Sequence, residues 1–135
     1  MKIVSEDRKS ELSLQKHDPS DSYSPFSLKA KLTHNNNVFE GANDKVQFSN
    51  FELSLVALEK FLIKRNGEVI FDMSEDCKIS FFKWNQKGDV GLKVKVCKNV
   101  LVAESAKYAQ WCILGEMKLN AEFLTQMLDE LKALK

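Results

Sequence analysis

Apolar residues recur along this chain with two periods, and the switches between them mark out its elements. Phe26-Ser27-Leu28-Lys29-Ala30-Lys31-Leu32 alternates strictly, with Phe26, Leu28, Ala30 and Leu32 on one face and Ser27, Lys29 and Lys31 on the other. A period of two with one polar face predicts a half-buried strand, typical of antiparallel sheets. Val90, Leu92, Val94 and Val96 alternate with Gly91, Lys93 and Lys95 in the same way. Val69, Phe71 and Met73 mark a further strand, and Ile79-Ser80-Phe81-Phe82-Lys83-Trp84 another with apolar residues on both faces. Val38-Phe39 and Val46-Gln47-Phe48 predict two short strands around a Gly41-Ala42-Asn43-Asp44 turn, and residues 111–119 predict a last strand. Leu12 and Leu14 allow one short strand inside a weakly specified lead-in, residues 1–25. Residues 99–109 are ambiguous.

The helical period appears twice. Phe51, Leu55, Leu58 and Leu62 form one stripe, with Ser49 and Glu52 spaced as a capping box and Phe48 and Leu53 as a hydrophobic staple. Asn66-Gly67 predicts its end. Leu124, Met127, Leu128, Leu131 and Leu134 form the second stripe, behind Asn120 as N-cap. His34-Asn35-Asn36-Asn37 reads as a turn, because Asn tolerates left-handed backbone, and residues 85–89 read as a hairpin loop. Short loops favour hairpins over parallel crossovers. The expected fold is one α+β domain over residues 1–135: a mainly antiparallel sheet, a central amphipathic helix, and a C-terminal helix packed on it.

Composition changes this picture little. A chain of 135 residues, 44% apolar and 29% charged, is ordinary globular material. A net charge of +1 gives no global pull toward nucleic acid or anionic membrane. The start, Met1-Lys2-Ile3-Val4-Ser5-Glu6-Asp7, lacks the apolar core of a signal peptide, so the expectation is a cytoplasmic protein. Cys77, Cys97 and Cys112 are widely spaced and form no Cys-x-x-Cys pair. They read as half-buried free thiols rather than a disulfide framework.

Candidate chemistry is sparse. Glu116-Met117-Lys118 has the Glu-x-Lys form found on a strand of many metal-dependent nucleases, with Asp72 or Asp76 as the upstream acid. A small metal-dependent nucleic-acid hydrolase using Asp76 and Glu116 is therefore one rival reading, and a nucleic-acid-binding module another. The acidic turn Asp72, Glu75, Asp76 lacks the register of a calcium loop. No Gly-x-Ser-x-Gly elbow exists, and Gly88-Asp89-Val90-Gly91 lacks the spacing of a phosphate loop. His17 and His34, the only imidazoles, sit in polar stretches. No catalytic, cofactor or metal residue is assigned. Charge is more suggestive: Lys78, Lys83, Lys87, Lys93, Lys95 and Lys98 share a segment in which Asp89 is the only acid. If that segment neighbours the strand carrying Lys29 and Lys31, the two form a basic sheet surface. Lys83, Lys87, Lys93 and Lys95 are the candidate partner-binding residues.

Over residues 26–135 the chain resembles bacterial toxin-immunity proteins of the polymorphic-toxin and contact-dependent inhibition systems, particularly the WapI-like immunity group. The resemblance lies in the order of features: the strand Phe26 to Leu32, the helix Phe51-x-x-x-Leu55-x-x-Leu58, and Gly67-Glu68-Val69 entering a strand. A Gly-containing hairpin then leads into Val90-x-Leu92-x-Val94-x-Val96. Leu114-x-Glu116-x-Lys118-x-Asn120 runs last into Phe123-Leu124-x-x-Met127-Leu128-x-x-Leu131. It implies a cytosolic, non-enzymatic protein that neutralises one cognate toxin domain by stoichiometric binding, often through complementary charge, with no active-site residue to transfer.

Overall fold

The structure, a computed structural model, describes residues 1–102, 104 and 107–135. It is α+β, with eight strands in two antiparallel four-stranded sheets and two α-helices. The first sheet runs in chain order through β1 (Lys2–Val4), β2 (Glu11–Lys16), β3 (Phe26–His34) and β4 (Asn37–Val46). The second holds β5 (Glu68–Asp72), β6 (Lys78–Lys83), β7 (Val90–Val102) and β8 (Lys107–Lys118) in the same simple order. Helix α1 (Phe51–Lys64) lies between the sheets in sequence and α2 (Leu124–Ala133) follows the second. Single bridges tie the sheets at two corners, Ser5 to Leu119 and Phe48 to Met73.

Alternation fixes which face each strand buries. Phe26, Leu28, Ala30 and Leu32 are buried, as their spacing predicts, and so are Val90, Leu92, Val94 and Val96. Between the sheets they meet Leu12, Leu14, Phe81 and Met117. Helix α1 adds Leu55, Leu58 and Phe61, and α2 adds Leu124, Met127 and Leu131. Phe26, Phe48, Phe51, Phe71 and Phe81 form a chain of tilted and edge-to-face rings that links the first sheet, α1 and the second. Such geometry suits the ring quadrupole.

Four local expectations need correction. Residues 1–25 contain two strands, and Ile3, Leu12 and Leu14 are core residues, so this segment builds half of the first sheet. Gly41-Ala42-Asn43-Asp44 is no turn but the middle of the continuous β4. Its glycine answers a packing need: a Cβ on Gly41 would lie 2.7 Å from Ile113 Cγ1 of the facing sheet. Helix α1 is capped by Asn50 without a side-chain bond, not by a Ser49–Glu52 box, and Leu53 is exposed while Phe48 turns to the ring cluster. The α1 C-cap in left-handed backbone is Arg65, two residues before the predicted Gly67. The second N-cap holds: the Asn120 side chain accepts from the Glu122 N–H and opens a 3-10 turn, Ala121–Phe123, ahead of α2.

Candidate docking surface

β7 and β8 are the longest strands, and they differ along their length. Their register runs without a shift from Gly91 opposite Lys118 to Val102 opposite Lys107. From Val90 to Cys97 every β7 residue is buried or half-buried; from Lys98 onward every described one is exposed. The two strands therefore leave the sandwich as a ribbon, which we call the arm, built from residues 98–102 and 107–111. The arm carries large apolar side chains on both faces. Tyr108 is 73% exposed, Trp111 71% and Leu101 56%, and Leu114 just below it 64%. Val100 and Val102 are also exposed. A two-stranded ribbon is marginal alone in water. Cys97 and Cys112, directly opposite in register at its root, are joined by a disulfide. Two of the three expected thiols are thus paired, and sequence spacing hid this because the partners meet only through the hairpin. Cys77 stays free and buried, and burial pushes its thiol pKa up, which keeps it unreactive.

Side chains of the first sheet brace the root. Asn43 Nδ2 donates to the Cys97 carbonyl at 2.8 Å and to Glu75 Oε2 at 2.7 Å. Gly115 lies so close to β3 that a Cβ there would sit 2.3 Å from Leu32 Cδ1. Beside β8 a groove of about 480 Å³ is lined by Leu32, Phe39, Ile113 and Leu114 among others.

The predicted basic residues are spread along the second sheet. Lys93 and Lys95 share the outer face of β7; Lys93 pairs with Glu116 at 3.8 Å, and Lys95 stands opposite Lys78 and Leu114. Lys83 ends β6 opposite Val90, and Lys87 sits in the following turn. Lys83 and Lys87 lie at the far end of the sheet from the arm, whereas Lys95 and Lys93 stand three and five residues before Lys98, roughly 10 and 17 Å along the strand. Lys29 and Lys31 belong to the other sheet, so the single basic surface that required them as neighbours does not form.

The rival hydrolase pair is also accounted for. Asp76 accepts a hydrogen bond from Gln110 Nε2 at 2.8 Å and Glu116 is held by Lys93. Among the described residues no group of three or more His, Cys, Asp or Glu is placed to hold a metal ion. Lys118 instead joins three elements, 3.2 Å from Glu6 and 3.4 Å from Asp89. The bond to Glu6 raises the Lys118 pKa, and a hydrogen bond from Asn85, helped by Lys118, lowers that of Asp89. No helix is long and apolar enough to cross a membrane among the described residues. None of the protein-family models, curated proteins or solved structures compared with the chain matches it.

Proposed function

We propose that the chain is a non-enzymatic immunity protein that neutralises a cognate toxin domain by stoichiometric occlusion, and that the arm is its docking surface. The carrying observation is the arm's exposed Leu101, Tyr108, Trp111 and Leu114 on a ribbon stapled at its root. Apolar patches of this kind mark interaction sites, and Trp and Tyr are the residues that dominate binding energy at interface centres. The order of features shared with immunity proteins supports the identity of the partner. Lys93 and Lys95 flank the arm on the outer face and are suited to speed encounter with an acidic surface.

Co-expression with a candidate cognate toxin domain tests this reading. The expected result is restored growth and a stoichiometric complex on a sizing column. Trp111→Ser with Tyr108→Ser should weaken that complex at least about a hundredfold, since each such anchor contributes roughly 2 kcal/mol or more. An active toxin that is neither bound nor neutralised would overturn the proposal. Nonspecific nucleic-acid binding that weakens steeply with salt would favour the rival reading instead.

A further inference from the structure

We infer that the free edge of β8 takes up an extended segment of the partner as an added strand, apolar along its length and acidic where it passes the arm; this rests on the binding-protein reading above. The edge is open and aimed. The Lys118 carbonyl accepts from the Glu6 N–H at 2.8 Å, on the side away from β7, while the Leu119 N–H donates to Val90 of β7 at 2.9 Å. Successive residues of an antiparallel strand alternate in this respect. Tyr108, Gln110, Cys112, Leu114 and Glu116 therefore direct their N–H and C=O groups to the free side, where β8 ends its sheet.

The edge is also unguarded. Proteins protect exposed edges with charges, prolines or bulges. From Tyr108 to Gly115 the chain has no charge and no proline, and its pairing with β7 has no bulge. The groove bounded by Leu32, Phe39 and Ile113 runs beside it and offers apolar surface to alternate side chains of an added strand.

Charge decides the occupant. By register, Lys98 and Lys107 lie on the same face of the arm as Trp111 and Ile113, and among the described residues neither has an ion-pair partner. A second copy paired edge to edge would bring Ala109, Trp111, Ile113, Gly115 and Met117 to that face, and no acid. A partner strand with acidic residues at its arm end neutralises both lysines.

The probe is a synthetic peptide alternating valine and threonine with two aspartates at one terminus. Hydrogen exchange followed amide by amide should slow at Tyr108, Gln110, Cys112, Leu114 and Glu116 and leave their odd-numbered neighbours, already paired to β7, unchanged. Reversing Lys98 and Lys107 to Glu should weaken the peptide about tenfold. Leu114→Pro deletes a free-side N–H without touching the ladder, a position where proline is tolerated, and should abolish binding. A peptide methylated on alternate amides asks the same question with the wild-type protein, should that variant not fold. No slowing at millimolar peptide, or slowing at other strands, overturns the inference. Slowing of the same amides with protein concentration alone gives the edge to a second copy and also overturns it. The two readings fail separately. A toxin complex in which these amides exchange freely removes the edge and keeps the function; peptide capture without toxin rescue does the reverse.

Discussion

One pair of strands lives in two environments. Below the Cys97–Cys112 bond, β7 and β8 supply Leu92, Val94, Val96 and Met117 to the core; above it they carry Val100, Leu101, Tyr108 and Trp111 into solvent. The hydrogen-bond register does not change across this line. Composition barely changes either, since both halves are rich in β-branched and large apolar residues. What changes is whether a second layer covers them. The first sheet covers the root through Leu32, Gly41 and Asn43, and it does not reach the arm. Apolar sequence with a facing layer is core; the same kind of sequence without one is an exposed apolar surface.

Leucine truncation breaks the comparison most visibly. Leu92 is fully buried and Leu101 is on the same strand beyond the disulfide. Leu92→Ala should cost roughly 2–5 kcal/mol in urea unfolding. Leu101→Ala should stay within about 0.5 kcal/mol, as exposed positions do. Equal losses would mean that the arm is packed in solution.

Reducing the disulfide should have the next largest effect. The bond closes a loop with a sequence separation of 15, which the chain-entropy account values at about 3 kcal/mol. A reductant, or Cys97→Ala with Cys112→Ala, should lower the denaturant midpoint and speed exchange of arm amides while root amides stay protected. Uniform acceleration along both strands would show that the bond does not mark a boundary.

Gly115→Ala probes the covering layer itself. The new methyl group would displace Leu32, whose end is a movable side chain at the rim of the core, so the expected cost is about 1–3 kcal/mol. A neutral result would mean that the sheets separate easily there.

Much of this was legible in the sequence. Periods of two and 3.6 located β3, the buried half of β7, α1 and α2, because each buries one face, and burial is what periodicity records. The arm escaped for the same reason: the described residues 99–102 and 107–108 are exposed on both faces, so no period was imposed on them. Gly41 read as a turn because glycine serves close packing and sharp bends alike, and only the facing Ile113 distinguishes the two. Leu12 and Leu14 were visible, yet the polar loop residues 18–25 masked their role as partners of β3. The lysines were visible as charges. Their separation onto two sheets and their pairing with Glu116, Glu6 and Asp89 depend on contacts distant in sequence.

The smallest expected effect concerns the far end of the anchored half, where Lys118 ties β8 to Glu6 beside β1 and to Asp89 before β7. The Lys118 pKa is raised in the folded protein, so its contribution is complete below the unfolded value and disappears as pH climbs through the folded one. Asp89 has a lowered pKa, so its contribution is complete above the unfolded value and disappears as pH falls through the folded one. Stability owed to the pair should therefore be level across the neutral range and decline at both extremes. Lys118→Met removes the cation from both contacts and keeps the aliphatic stem. The gap between wild type and this variant should be widest near neutrality and close in strong acid and in strong alkali. It should also shrink with salt, because all three groups are solvent-accessible. Arm exchange rates should not respond at any pH, since the triad sits at the opposite end of the strands. A pH-dependent change in the arm alone would mean that the two halves are coupled, and that the disulfide line is a change of cover but not of cooperativity.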